Sequence, residues 1–186
     1  AAFVERMNST AQELGMTAQF ENCHGAFPHY TTARSIAILV REFIQRFPQV
    51  LEYTALTEVE FNGRTYENTN KLLTDYYYEG CDGFKTGTIT AAGYCLAGTA
   101  VRNGHRVISV VMKSDSDRHR HTDSSAILDY AFDWLADNSY YFDDIAHHWA
   151  RLDIEELSRT GVALHTRGGD FRLDAPITRA EFTAML

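Results

Sequence analysis

Lysine is nearly absent. It stands only at Lys71, Lys85 and Lys113 in a chain of 186 residues whose formal net charge is −8. That acidic balance argues against a nucleic-acid or anionic-membrane surface as the main partner, because such partners require a sustained positive field. The one dense basic run, RHRH at 118–121, is interrupted by Asp115, Asp117 and Asp123 on its flanks. No apolar stretch reaches the length of a membrane span. Cysteine occurs three times, as Cys23, Cys81 and Cys95, an odd number with no C-x-x-C spacing. Buried free thiols are therefore expected, with no metal and no cofactor. The chain opens on AAFVERMN, without Met or a signal-peptide pattern, and stops inside the amphipathic run TRAEFTAML. Both ends read as cut, so the missing targeting segment excludes nothing.

What is present suits a packed core: 45% of residues are hydrophobic and 23% charged. Helical spacing runs over 3–14, with Phe3, Met7 and Leu14 near one face and Gly15 as a stop. A loop, FENCHGAFPHY, follows. The spacing then predicts a helix over 32–46, with Ile36, Leu39, Val40, Phe43 and Ile44 inward and Pro48 at its exit. Asn62-Gly63 and Asn103-Gly104 each sit between alternating segments and predict two-residue hairpin turns. The run Val107 to Met112 is almost continuously apolar, as in a strand covered on both faces. A helix over 124–136 is predicted, with Ile127, Tyr130, Ala131, Trp134 and Leu135 facing the core. The element order gives an α/β (α+β) domain with an antiparallel sheet and packed helices, ending near residue 137. After the joint DNSYYFDD, a module over 138–186 is expected: a short helix carrying Trp149, Ala150, Ile154 and Leu157 and ended by Gly161, then a loop and a second helix for which Thr178 with Glu181 forms a capping box. A helix–loop–helix unit this small has a marginal core, which suggests stacking with further copies.

The stretch with most chemistry is GCDGFKTGTITAAGYC at 80–95. Its Lys-Thr-Gly tripeptide precedes a hairpin and would form a strand at the hairpin's side. There Lys85 offers a positive field, Thr86 a hydroxyl, and Gly87 a place where a substrate backbone can lie close. The histidines His24, His29, His119 and His121 form no Ser-His-Asp spacing and are read as surface or loop residues.

FVERMNSTAQELGM, HYTTARSIAIL, NTNKLL, DGFKTGTITAAGYCLAGTA and RVISVVM resemble, in order, segments of the D-alanyl-D-alanine carboxypeptidases, the low-molecular-mass penicillin-binding proteins. The resemblance covers residues 1–137 and implies a β-lactamase/transpeptidase-like fold. It implies acyl transfer on the D-Ala-D-Ala end of peptidoglycan stem peptides, with β-lactams as inhibitors. On that resemblance Lys85 belongs to the proton-transfer network, Thr86 and Gly87 to the carboxylate-binding strand, and the Thr88 N–H to an oxyanion hole. Arg120 resembles a family arginine near the substrate carboxylate, or else is a solvated charge in a mobile loop.

The family's nucleophile lies in S-x-x-K, and a second serine in S-x-N. No serine here stands three before a lysine or two before an asparagine. The chain therefore reads as a partial domain that does not acylate on its own.

The segments YFDDIAHHWARLDIEELSRTGV and GGDFRLDAPITRAEFTAML resemble an S-layer homology (SLH) domain, a binder of secondary cell-wall polysaccharide. Leu164-His165 and Leu173 depart from its usual pattern. Arg179 at a helix start can meet an anionic sugar substituent, or form a surface ion pair. Trp149 can stack on sugar or pack as a core aromatic. Together the two resemblances imply an extracellular, wall-attached peptidase. The other reading is a non-catalytic wall-binding protein that keeps a relic penicillin-binding half; a β-lactamase is the rival in chemistry.

Overall fold

The computed structural model describes residues 2–25 and 29–138, with positions 145, 150, 151, 153 and 154. The chain divides into two compact units, Ala1–Phe132 and Asp133–Leu186. In the second, Ile145 and Ile154 are buried; Trp149 and Arg179 lie outside the described residues.

The first unit opens with helix α1 (Ala2–Glu13), and Gly15 follows with φ +69°, the left-handed turn that glycine accepts without strain. Ala11 is buried on α1, whereas Phe3, expected on the core face, is 67% exposed. Asn8 clamps the segment after the helix, donating to the Phe20 carbonyl and accepting from the Phe20 N–H, both at 2.8 Å. Strands β1 (Ala18–Gln19) and β2 (Tyr30–Thr31) pair antiparallel. Helix α2 (Ala33–Arg46) begins at Thr32, whose hydroxyl accepts from the Ser35 N–H at 3.1 Å. A five-residue helix, α3 (Val50–Thr54), comes directly after Pro48. Hairpin β3 (Glu58–Phe61) and β4 (Arg64–Glu67) is exposed throughout.

The main sheet has the order β5-β6-β7, all antiparallel: β5 (Cys81–Ile89), β6 (Gly93–Arg102) and β7 (His105–Ser114). Both expected turns form. Asn62 and Gly63 have φ +51° and +70°, and Asn103 and Gly104 +50° and +78°, positive at both positions as a primed two-residue turn requires. Arg106 on β7 holds the start of β5 through both oxygens of Asp82, at 2.8 and 2.7 Å, and reaches Thr99 on β6 at 2.7 Å. One guanidinium thus ties three strands.

The sheet is covered on both faces, as the apolar run in β7 predicts. On one face Val40 and Ile44 of α2 cluster with Ala97, joined by Ile108, Val110 and Phe84. On the other lies α4 (Asp117–Asn138), which begins seven residues before the predicted start at 124. Its buried face also differs from the prediction. His121, Ser124, Leu128 and Phe132 point inward, while Ile127, Tyr130 and Trp134 are 41%, 73% and 44% exposed. Half of the inward stripe is polar, so apolar periodicity located the wrong face.

Contact between α4 and the sheet is close because Gly98 has no side chain. A Cβ there would meet Ser109 Oγ at 2.7 Å and Ser124 Oγ at 2.8 Å. Those two hydroxyls hydrogen-bond each other at 2.6 Å and are fully buried. Adding one methyl forces the pair apart, so Gly98→Ala should lower stability by about 1–3 kcal/mol. A denaturant midpoint unchanged from the parent would show that α4 does not approach this closely.

Candidate active site

Residues 85–88 lie on β5, at the edge of the three-stranded sheet, so one side of the strand has no strand neighbour among the described residues. Lys85, Thr86, Gly87 and Thr88 stand opposite Ala97, Leu96, Cys95 and Tyr94 of β6. Alternation puts Lys85 and Gly87 on one face, Thr86 and Thr88 on the other. Lys85 is exposed, and its ammonium donates to the Thr86 carbonyl at 2.5 Å. It sits at the rim of a groove of about 520 Å³, almost wholly apolar, between α2 and the sheet, lined by Ile36, Leu39, Phe43 and Met112 among others.

Thr86 is 9% exposed, and its hydroxyl meets that of Thr69 at 2.6 Å. Thr69 is fixed by the asparagines on either side. Asn68 donates to the carbonyls of Thr54 and Leu56, at 3.2 and 2.8 Å, and accepts from the Asn70 N–H at 2.9 Å. Asn70, 2% exposed, donates to the Gly83 carbonyl at 2.9 Å and accepts from the Leu72 N–H at 3.2 Å, which starts the 3-10 turn Lys71–Leu73. Asn68, Thr69 and Asn70 form a bracket that sets β5 against the segment before it. The sequence signal was two asparagines two apart, each able to cap the backbone ahead of it.

Arg120 is neither in a loop nor solvated. It lies in the first turn of α4 and is 5% exposed. Its Nη1 donates to Thr88 Oγ1 at 2.9 Å and approaches the carbonyls of Gly87 and Cys95 at 3.3 and 3.4 Å. Its Nη2 pairs with Asp117, and the Tyr94 ring lies 5.5 Å from the guanidinium carbon. The structure thus brings Arg120 to the motif strand.

His121 overturns the expectation of a surface or loop residue: it is completely buried. Its Nε2 accepts from the Lys71 N–H at 3.0 Å and its Nδ1 faces the Asp117 carbonyl at 2.7 Å. This arrangement requires the neutral ring protonated on Nδ1. Burial pushes the imidazole below its ordinary range, helped by the charges of Arg120 and Lys71, against the pull of the Asp117 carbonyl and carboxylate. Tyr76 stacks on the ring at 5.4 Å. Through His121, α4 holds the turn from which the Asn-Thr-Asn bracket extends.

The cysteines are unpaired, as expected, but Cys23 is exposed rather than buried, and Cys81 and Cys95 are half-buried. Burial pushes the Cys81 thiol up, which keeps it protonated and a poor nucleophile. Among the described residues no His, Cys, Asp and Glu cluster could hold a metal. No described helix is long and apolar enough to cross a membrane.

Comparison with known proteins places this geometry. Residues 1–116 match the family described as D-alanyl-D-alanine carboxypeptidase. The chain is 33% identical over 138 residues to D-alanyl-D-alanine carboxypeptidase DacF of Bacillus subtilis, a match covering 70% of this chain and 35% of that protein. To DacC of Escherichia coli it is 35% identical over 134 residues, covering 70% and 33%. Among solved structures, cefotaxime-bound penicillin-binding protein D2 of Listeria monocytogenes is similar with a TM-score of 0.63 and 34% identity, covering 70% of this chain and 55% of that one. The chain spans about a third of the length of these curated relatives. Arg120 lies beyond the family match at 1–116.

The state of His121 gives a pH dependence. In the unfolded chain the imidazole takes up a proton near its ordinary pKa, about 6.5, while in the fold it resists protonation to lower pH. The unfolded state therefore binds the proton first. The contribution of His121 to stability is intact above about pH 6.5 and is lost as the pH falls toward its depressed folded value. His121→Gln, which can accept from Lys71 and donate to Asp117 without titrating, should flatten this part of the acid stability curve. Parallel curves for the two proteins between pH 7 and 5 would remove His121 as the cause.

Proposed function

The chain belongs to the D-alanyl-D-alanine carboxypeptidase family, and from that premise we propose that it supplies the Lys-Thr-Gly wall of a serine peptidase site acting on peptidoglycan stem peptides. The observation that carries this reading is Lys85-Thr86-Gly87 on the edge strand β5, with the Thr69 hydroxyl bonded to that of Thr86 and a buried arginine on Thr88. An extended peptide ending in D-Ala-D-Ala can lie along such an edge and direct its carboxylate to the Thr86 hydroxyl. Lys85 supplies positive charge at the reacting carbonyl and at the nucleophile. The Thr88 N–H serves as an oxyanion donor. Arg120 supports the carboxylate end of the site through Thr88.

The nucleophile belongs to a Ser-x-x-Lys segment that these 186 residues do not contain. Because Lys85 stands at the rim of the apolar groove, a serine within reach of its ammonium has to enter from that side. The serine would attack the peptide carbonyl, the terminal D-alanine would leave with a proton, and water would release the acyl group. β-Lactams would acylate the same serine.

Residues 138–186 are proposed to be an SLH module that holds the enzyme at the cell surface on secondary wall polysaccharide. Attachment raises the effective concentration of a hydrolase near stem peptides. Arg179 and Trp149 are its proposed sugar contacts. The absence of Ser-x-x-Lys also supports a second reading, a wall-binding protein with a relic peptidase half.

Fluorescent penicillin separates the two. The 186-residue chain should remain unlabelled, and a form extended by an in-frame Ser-x-x-Lys region should label. In that form Lys85→Ala should slow acylation about a hundredfold or more. Unimpaired acylation would take Lys85 out of the mechanism, and an unreactive extended form would favour the relic. For the wall module, the chain should sediment with purified wall polysaccharide and Arg179→Ala should weaken this. Equal sedimentation of the variant would leave Arg179 a structural residue.

A further inference from the structure

We propose that Asp117 is a specificity-determining residue that occupies the outer edge of Arg120 in advance and so sets how tightly the site takes a carboxylate. The inference rests on the reading of β5 as a carboxylate-recognising strand.

Arg120 is held by two independent sets of contacts. The first is the sheet: Nη1 on Thr88 Oγ1, with the Gly87 and Cys95 carbonyls close by, and the Tyr94 ring beside the guanidinium. These fix the position and plane of the guanidinium without Asp117. The second is Asp117 itself, three residues earlier on α4, whose carboxylate takes Nη2. Nε is buried and has no hydrogen-bond partner among the described residues. The arginine therefore does not depend on Asp117 for its placement, but its charge does depend on Asp117 for compensation. No other ion pair to Arg120 is present among the described residues.

Asp117 offers Arg120 the same chemical group that a stem-peptide terminus would offer. A guanidinium with one nitrogen on a carboxylate has committed that donor and lost much of its attraction for a second anion. Thr86 and Thr88 share a face of β5, so a carboxylate on the Thr86 hydroxyl approaches the side of the strand where Arg120 is bound. There it meets a neutralised cation and, half-exposed beside it, the negative charge of Asp117. Asp117 acts as an intramolecular competitor: it stabilises the buried cation in the empty site and lowers affinity for anionic ends.

Asp117→Asn keeps the shape of the side chain and an oxygen acceptor for Nη2 while removing the negative charge. The test titrates the 186-residue chain with N-acetyl-D-alanyl-D-alanine and with its C-terminal carboxamide, following the amide signals of residues 86–88 and the Arg120 Nε–H by NMR. Asp117→Asn should bind the acid about threefold to tenfold more tightly than the parent. The gain should shrink as salt is raised and be absent for the carboxamide. Asp117→Glu, which keeps the charge, should bind like the parent. A merely structural role for Asp117 predicts weaker binding instead, so equal, weaker or no binding by Asp117→Asn overturns the inference. In the unmodified chain the Arg120 signal should move as the dipeptide saturates; a stationary signal at saturation also overturns it. Thr86→Val tests the underlying reading separately. If it loses the dipeptide while Asp117→Asn gains nothing, only the role of Asp117 fails. If Thr86→Val and the carboxamide bind as the parent and the acid do, carboxylate recognition by β5 fails with it.

Discussion

The buried imidazole of His121 joins two parts of the unit that lie far apart in the chain. On one side it is part of α4, anchored to the turn beneath it through the Asp117 carbonyl. On the other it accepts the Lys71 N–H, fifty positions earlier in the chain. That N–H opens the 3-10 turn at Lys71–Leu73, and the Asn68-Thr69-Asn70 bracket runs directly into it. The bracket in turn fixes Gly83 and Thr86 on β5. A buried hydrogen bond of this kind adds little net stability, but its loss leaves a donor stranded in a dry interior, which is costly. Its main effect is specificity of arrangement.

From that contact the site is built in successive supports. The hydroxyl of Thr69 meets that of Thr86, so either the pair shares its protons or a ligand accepts one of them. If Thr69 donates to Thr86, the proton of Thr86 is left pointing at the ligand, and the two bonds polarise each other. On the same face of β5, Arg120 closes the far end through Thr88. Arg106 performs a mechanical task at the near end by tying Asp82 to β6 and β7. The strand is thus braced at 82, 83, 86 and 88, and between these points Phe84, Lys85 and Gly87 line the groove.

The elements governed by backbone chemistry were legible in the sequence. Asn-Gly pairs specified both hairpin turns, Thr32 and Pro48 bounded α2, and the apolar run of β7 announced a sheet covered on both sides. Lys85 to Thr88 were singled out because a short motif with a known mechanism stood ahead of a recognisable hairpin. What was missed has a common cause. His121, Ser124 and Asn70 are buried polar residues, and Thr69 is an exposed one, whose hydrogen bonds reach partners distant in sequence, and local periodicity carries no information about such partners. The same blindness turned α4 to its wrong face: Ile127, Tyr130 and Trp134 looked like a core stripe, while the stripe in use runs through a histidine and a serine. Arg120 was half-legible. The resemblance singled it out, but its contact with Thr88 and its pairing with Asp117 are visible only once the helix is known to begin at 117.

The close approach of α4 to the sheet bears on how this family of chains can change over time. Gly98, Ser109 and Ser124 fill one small volume from three different elements, and none can grow unless another shrinks. A lineage that accepts alanine at position 98 must lose an oxygen at 109 or 124, and one that replaces a serine by alanine regains room at 98. Substitutions at these three positions should therefore be inherited as sets, leaving a covariation signal in related sequences that is stronger than the conservation of any one of them.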